Sequence, residues 1–239
     1  MTLSASNTYT GTTQVSAGTL TVSGSGRLSD DTAVTVDNGA TYNVAVSDTV
    51  ASIAGAGSIT LGSNTLTSGG SSNASTTFSG VISGTNGNII KAGSGTLTLS
   101  GANTYTGTTT INAGDLTVSG SLHDDTAVSI ASGADYNVNA SDTVASIEGA
   151  GDIVLASGQT LTAGDGNNKT LSGVISGAGN YIKAGGGTQT LSASNTYTGT
   201  TQVSAGTLTV SGLGRLSNDT AVTVDGGATY NVAVSDTVA

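Results

Sequence analysis

The chain has 239 residues, and its composition excludes several classes of protein before any motif is considered. Only 8% of the residues are charged, the formal net charge is −10, and the five Lys and Arg residues are scattered. This excludes a nucleic-acid interface, which needs clustered basic side chains. The absence of Cys excludes disulfide frameworks and thiolate metal sites, and no stretch approaches the roughly 20 apolar residues of a membrane-spanning helix.

A segment of 23 residues is written three times, beginning at Thr2, Thr98 and Thr190. Residues 2–51 match residues 190–239 at 47 of 50 positions. Self-similarity at a fixed period is the signature of a repeat architecture. We therefore interpret the chain as a piece of a longer array, with Met1 added to it.

The repeated "DTAV" segments set the period, because they are spaced by 94 residues each. They predict a first module over residues 1–97, a second over 98–189 and a partial third over 190–239. The modules are expected to form one continuous solenoid, because a single repeat cannot bury its apolar side alone.

Within a module the apolar residues alternate with polar ones. In "TLTLS" (96–100), Leu97 and Leu99 alternate with Thr96 and Thr98. The same pattern occurs in "DLTVSG", "AVSIAS" and "DYNVNA". Short alternating runs that are rich in Val, Ile, Thr and Tyr and bounded by Gly, Asn and Asp predict half-buried strands. The complete absence of Pro agrees with this, since Pro removes a ladder N–H group.

The second module divides into four similar stretches of about 23 residues, a length typical of solenoid coils. They begin near Thr98, Ser121, Ala145 and Lys169. We therefore predict an all-β fold, a parallel β-helix (β-solenoid) with about ten rungs and no helix of note.

The segment "SGVISGTNGNIIKAGSGTLTLSGANTYTGTTTINAGDLTVSG" (79–120) resembles the autotransporter-associated β-strand repeat of bacterial autotransporter and giant adhesin proteins. The resemblance recurs over residues 172–212, where Gln189 and Ala193 depart from it, and in part over 2–24. It implies a right-handed parallel β-helix. It also implies an extracellular or cell-surface location, with attachment to the outer membrane through a part outside this segment.

The only His and the only Glu of the chain, His123 and Glu148, are not repeated in the other modules. A Ser-His-Asp arrangement would have to use His123 beside Asp124 and Asp125. A solvated turn is the simpler interpretation, so no catalytic residue is predicted. A polysaccharide-active enzyme is kept as a remote alternative.

The acidic pairs Asp30–Asp31 and Asp124–Asp125 are weak candidates for calcium binding. The third copy reads Asn218–Asp219, and Asp is common in turns because its side chain bonds to nearby backbone. No cofactor is predicted.

Candidate surface contacts come from repeated Tyr and Thr residues. The Tyr residues of the "NTYTGTT" segments either stack on sugars or pack in the core. Thr residues opposite the apolar ones either contact carbohydrate or ice, or simply suit an exposed strand surface. The candidates are Tyr9, Tyr105, Tyr197, Thr19, Thr21, Thr96 and Thr98.

The sequence favours a structural and adhesive rod, because near-identical modules suit a task that scales with length. Expected partners are further copies of the chain, through end-to-end stacking or fibre association, and glycans of a host or environmental surface. Neither nucleic acid nor membrane insertion is expected. A solenoid that binds carbohydrate or ice directly is the alternative.

Overall fold

The computed structural model describes residues 1–239 and consists of short parallel strands joined by turns. It holds no helix that is long and apolar enough to cross a membrane. The chain divides into a first unit, Met1–Thr126, and a second unit, Ala127–Ala239. The predicted all-β parallel solenoid is confirmed, with about 12 turns against the ten expected.

The strands of the first unit form three faces, and each face is a sheet of parallel strands. Its strands are β1 (Thr2–Leu3), β2 (Thr13–Val15), β3 (Thr19–Val22), β4 (Ala33–Val36), β5 (Thr41–Val44), β6 (Asp48–Val50), β7 (Ser52–Gly55), β8 (Ser58–Thr60), β9 (Thr65–Ser68), β10 (Thr76–Phe78), β11 (Val81–Gly84), β12 (Asn88–Lys91), β13 (Thr96–Leu99), β14 (Thr104–Tyr105), β15 (Thr108–Ile111) and β16 (Gly114–Val118). Face A contains β1, β3, β5, β8, β11 and β14, face B contains β2, β4, β7, β10, β13 and β16, and face C contains β6, β9, β12 and β15.

The second unit also has three faces. Its strands are β17 (Ala127–Ile130), β18 (Ala134–Val138), β19 (Asp142–Val144), β20 (Ser146–Gly149), β21 (Asp152–Leu155), β22 (Thr160–Ala163), β23 (Lys169–Leu171), β24 (Ile175–Gly177), β25 (Asn180–Lys183), β26 (Thr188–Leu191), β27 (Thr201–Val203), β28 (Thr207–Val210), β29 (Val222–Val224) and β30 (Thr229–Val232). Face D contains β17, β20, β23, β26, β28 and β30, face E contains β18, β21 and β24, and face F contains β19, β22, β25, β27 and β29.

The core of each unit is formed by the inward residues of its strands, as the alternation predicts. Leu97 and Leu99 are buried, whereas Thr96 and Thr98 between them are partly exposed. In-register pairing places Leu97 beside Leu116 on the next coil, so side chains of one type stack along the interior. Burying such a side chain contributes about 1.5–3 kcal/mol, and each coil depends on its neighbours for that burial.

The coils are more numerous and less uniform than four stretches of about 23 residues per module. In register, Asn43 lies beside Thr60 on the next coil, whereas Ile59 lies beside Ile82. These registers give coils of 17 and 23 residues, and the other coils lie within these limits, because their turns differ. The boundary between the two units falls inside the predicted second module. The module limits and the continuity of the solenoid stay predictions.

One corner of the first unit is formed by stacked glycines, Gly57, Gly80, Gly101 and Gly120, which we call the glycine corner. A Cβ atom on Gly80 would lie 1.6 Å from the carbonyl oxygen of Gly57, and one on Gly101 would lie 2.0 Å from that of Gly80. Real Cβ atoms do not approach backbone so closely. Only glycine therefore lets successive coils approach each other at this corner.

Candidate functional site

The repeated Asn of the "NTYTG" motif joins three consecutive coils. Asn103 is buried, and its Oδ1 accepts a hydrogen bond of 3.0 Å from the backbone N–H of Ile82 on the preceding coil. Its Nδ2 donates to the carbonyl of Gly101 in its own coil and to that of Ser121 on the following coil, both at 3.0 Å. The motif therefore holds coils together.

Asn195 repeats this arrangement in the second unit. Its Oδ1 accepts from the N–H of Ile175 at 2.9 Å, and its Nδ2 donates to the carbonyls of Ala193 and Arg215. A buried amide with all these partners is stabilising, whereas each unmet partner would be costly. This role was not predicted from the sequence, although the recurrence of Asn at one position of every repeat was a usable signal.

The repeated Tyr two residues later lies mostly in the core. Tyr105 and Tyr197 are fully buried, and each hydroxyl group lies 2.5–2.6 Å from a Thr hydroxyl, of Thr109 and Thr201 respectively. The expectation that Tyr105 and Tyr197 contact a surface ligand is therefore wrong. The alternative of core packing is the observed one, because the neighbouring coils cover both rings. Tyr9 is 43% exposed, so its role as a surface contact stays a prediction.

The Thr of the repeated "DTAV" segment binds the same Tyr residues through their backbone. Thr126 Oγ1 donates to the carbonyl of Tyr105 at 2.9 Å, and Thr220 Oγ1 donates to that of Tyr197 at 2.8 Å. Both Thr side chains are buried. The two repeated motifs thus contact each other from coil to coil, which explains why they recur together.

A second repeated Tyr forms a buried pair with an Asp six residues later. The hydroxyl of Tyr42 donates to Asp48 Oδ2 at 2.5 Å, and the backbone N–H of Leu28 also donates to this carboxyl group. Burial, followed by the charge of Asp48, raises the pKa of Tyr42. Burial also raises the pKa of Asp48, although these hydrogen bonds lower it.

The same Tyr–Asp pairing recurs between Tyr136 and Asp142 and between Tyr230 and Asp236. Tyr42 and Tyr136 are fully buried, in phase with the buried Val residues that follow them on the same strands. The buried Asp residues were not singled out from the sequence. Their signal was the recurrence of "SDTVA" at residues 47–51, 141–145 and 235–239.

The Lys of the "KAG" motif is a buried cation that contacts backbone. Lys91 Nζ donates to the carbonyls of Ala92, Gly93 and Ala113 at 2.8–2.9 Å, and Ala113 belongs to the next coil. Lys183 repeats the pattern with Ala184, Gly185 and Ala205. Burial lowers the pKa of both ammonium groups, while Asp115 near Lys91 and Asp165 near Lys183 raise it. These lysines fasten successive coils.

The acidic pairs and His123 lie in exposed turns. His123 Nδ1 accepts the N–H of Asp125 at 3.1 Å, as Ser29 Oγ accepts that of Asp31. His123 therefore replaces a turn-forming Ser. No three His, Asp or Glu side chains lie together as a metal site would require. Calcium binding at Asp30–Asp31 and Asp124–Asp125 stays a prediction.

The only Glu of the chain is part of an ion pair. Glu148 Oε1 lies 2.9 Å from Lys169 Nζ, between two consecutive coils of the second unit. Both side chains are partly exposed, so the pair contributes at most about 1 kcal/mol to stability. This contact accounts for Glu148 without a reaction.

The candidate Thr residues lie on the outward side of their strands. Thr19 is exposed, and Thr21, Thr96 and Thr98 are partly exposed. On face A, Thr21 belongs to an in-register row of uncharged side chains that follows the coils. The row consists of Thr2, Thr21, Asn43, Thr60, Ser83 and Thr104. Its members also bond to each other, as Thr60 Oγ1 donates to Asn43 Oδ1 at 2.9 Å.

Two departures from the repeat place polar atoms in the core of the second unit. Gln189, at the position of Leu97, is buried and makes only a long 3.4 Å hydrogen bond, to the carbonyl of Thr190. Tyr181, at the position of Ile89, is fully buried, and its hydroxyl group has no hydrogen-bond partner. Neither residue faces a surface, so both are costs to stability that no ligand contact explains.

Comparison with known families agrees with the motif assignments. Residues 1–22, 89–118 and 182–210 match the family model described as the passenger-associated-transport-repeat. The last two matches include the buried Lys, Asn and Tyr residues that join the coils. No curated protein and no solved structure matches the chain. Three segments of the chain therefore match the passenger-associated-transport-repeat, and the predicted relationship to autotransporter passenger repeats is confirmed.

Proposed function

We propose that this segment is a stalk of a bacterial surface protein and that its outward faces mediate adhesion or self-association. A passenger repeat on a parallel β-solenoid fits a passenger stalk, located outside the cell or at its surface. Adhesion and self-association go beyond that assignment, and they require their own tests.

The observation that carries the proposal is the use of the repeated polar residues. The Asn, Tyr, Thr, Asp and Lys residues that recur between modules bond to neighbouring coils, as Asn103, Thr126 and Lys91 illustrate. Repetition of these motifs therefore adds coils. A catalytic pocket would instead need an unequal set of converging groups at one place.

Deleting one module tests the stalk function. Removal of residues 98–189 joins Leu97 to Thr190, the equivalent of Thr98, so the repeat pattern continues across the junction. On cells that display the protein, we expect the layer measured by atomic force microscopy to become thinner by about 20 Å, from the spacing of parallel strands. Adhesion of these cells should fall and should return when a module is added back.

A matched control keeps the length and changes the surface. Replacing Thr21, Asn43 and Thr60 by Ala alters the row on face A and leaves the core intact. Unchanged adhesion of this variant, together with weaker adhesion of the deletion, supports a stalk. Lost adhesion of this variant with normal adhesion of the deletion would overturn the stalk function and assign adhesion to face A.

Direct carbohydrate binding is a second candidate, favoured by the row on face A. Its hydroxyl and amide groups can donate and accept hydrogen bonds, and none of its members is charged. Ice binding is less well supported, because Asn43 interrupts the Thr residues and Val81 interrupts the parallel row that begins at Thr19. Binding of the purified chain to a glycan array, lost in the face A variant, would establish this candidate.

Self-association by stacking of chains end to end is proposed for the same stalk. Solenoid ends leave unpaired strand groups, which are templates for pairing with another chain. Sedimentation velocity at increasing protein concentration should show growing species. A monomer at all concentrations would contradict this part of the proposal.

A further inference from the structure

Equivalent strands of successive modules lie on different faces of the solenoid. In the first unit, "TLTV" of β3 and "DLTV" of β16 are copies of one segment, but β3 lies on face A and β16 lies on face B. The neighbouring copies behave in the same way, since β2 lies on face B and β15 lies on face C. A module that filled a whole number of coils would return each copy to its own face.

The second unit shows the same displacement with other strands. The copies "AVSI" of β17 and "VTV" of β29 lie on faces D and F. The copies "DYNV" within β18 and "TYNV" of β30 lie on faces E and D. The displacement is therefore a property of the repeat and does not depend on one motif.

The displacement also has the same direction in both units. Along the first unit the chain visits face B, then A, then C. A segment that lies on face A in one module lies on face B in the next, and a segment on face B lies on face C. Each copy is therefore moved back by one face in the order in which the chain visits them. Along the second unit the chain visits D, then E, then F, and the same rule holds. A fixed rotation per repeat, here about one third of a turn, sets which side of a solenoid carries each copy of a surface.

We propose that the module length turns the repeated outward surface around the axis, so that successive modules present it to different sides. The consequence for partners rests on the proposed role as a surface stalk. Such an array fits discrete partners that each bind one module and approach from different sides. It does not fit a flat, extended partner, such as a crystal face, which would reach the same surface in only a fraction of the modules.

Distance measurements between labels on the first unit test the geometry, and the chain has no Cys that would compete for labelling. The cross-face pair is Thr21→Cys with Thr117→Cys, at equivalent positions on β3 and β16. The same-face control is Thr35→Cys with Thr117→Cys, four coils apart on face B. All these side chains are partly exposed and point outward, so folding should be retained.

Electron–electron distances between spin labels should be about 20 Å for the same-face pair, which is four strand spacings. The cross-face pair has a similar axial separation but also spans a corner, so about 30 Å is expected from strand dimensions. A second same-face control, Thr21→Cys with Thr104→Cys on face A, should again give about 20 Å. Equal distances for all three pairs would overturn the proposal.

Avidity on a flat layer tests the consequence for partners. Desthiobiotin with a short linker is attached to the same Cys pairs, and dissociation from a dense streptavidin layer is measured. The same-face pair can bind through both labels and should dissociate at least about ten-fold more slowly than the cross-face pair. Equal dissociation rates would overturn the inference about partners. Because labels replace the natural partner, neither result depends on whether the stalk is adhesive.

Discussion

Replacing Asn103 by Ala should destabilise the first unit strongly, because this side chain joins three coils. The change removes the acceptor of the buried Ile82 N–H group, and leaving this donor buried without a partner costs about 1–3 kcal/mol. The two hydrogen bonds from Nδ2 add about 0.5–1.5 kcal/mol each, reduced because the carbonyls of Gly101 and Ser121 keep backbone donors. We expect a total loss of about 2–4 kcal/mol.

Asn43→Ala is the matched control, since it makes the same substitution on the outward side of face A. Asn43 bonds only to Thr21 and Thr60, whose hydroxyl groups can bond to water instead. The control should therefore cost less than about 1 kcal/mol.

The assay is urea unfolding followed by circular dichroism, with hydrogen exchange to locate the weakened coils. Solenoid stability is a sum of coil terms and interface terms, so exchange should increase first in the coils around Ile82 and Ser121. Asn195→Ala should repeat the effect in the second unit, because Asn195 has the same three kinds of partner. If Asn103→Ala and Asn43→Ala shift the transition equally, the bridging role assigned to this Asn is wrong.

Three other predictions concern the core. Gln189→Leu should stabilise the second unit by about 1–2 kcal/mol, because it removes a poorly bonded buried amide. The urea midpoint should rise, and a lower midpoint would show that the amide makes a stabilising hydrogen bond. Leu99→Asp should unfold its neighbouring coils, detected by proteolysis, whereas Thr98→Asp on the outward side should be tolerated; equal damage would contradict the facing of β13. Burial raises the pKa of Tyr42 and Tyr181, so above about pH 10 the unfolded chain binds fewer protons than the folded chain and stability must fall as pH rises. Phenolate absorbance should then appear together with loss of the β-sheet signal, and absorbance from these groups in a still folded chain would refute the assignment.

Much of the fold was predictable because the alternation is local. The Leu–Thr alternation of residues 96–100 places Leu99 inside and Thr98 outside, as β13 shows. Parallel stacking was predictable from the division of a module into similar coils, because one coil cannot bury its apolar side without a neighbour. A longer turn in one coil leaves the alternation unchanged but alters the coil length. The number of residues per coil was for that reason predicted less well.

The sites were predicted less well, because their roles depend on the neighbouring coil. Tyr105 was a candidate for surface contact because repeated aromatic side chains can stack on sugars, yet the neighbouring coils bury it completely. Asp48 resembles an ordinary turn acid in sequence, and only the fold brings it to the hydroxyl of Tyr42. The one-face displacement of the module was equally hidden, because it follows from the module length and the coil length together.

The glycine corner determines where such a stalk can be decorated. Any side chain at Gly80 or Gly101 would collide with the coil before it, so appended loops, engineered epitopes and natural insertions are barred from that edge. At Gly11 and Gly166, by contrast, an added Cβ would meet nothing within 4 Å, and neither residue has a positive φ that a side chain would strain. Each unit thus has sites where new sequence can be grafted, whereas the glycine corner of the first unit excludes any side chain. Diversity among related stalks should accumulate at the former and spare the latter.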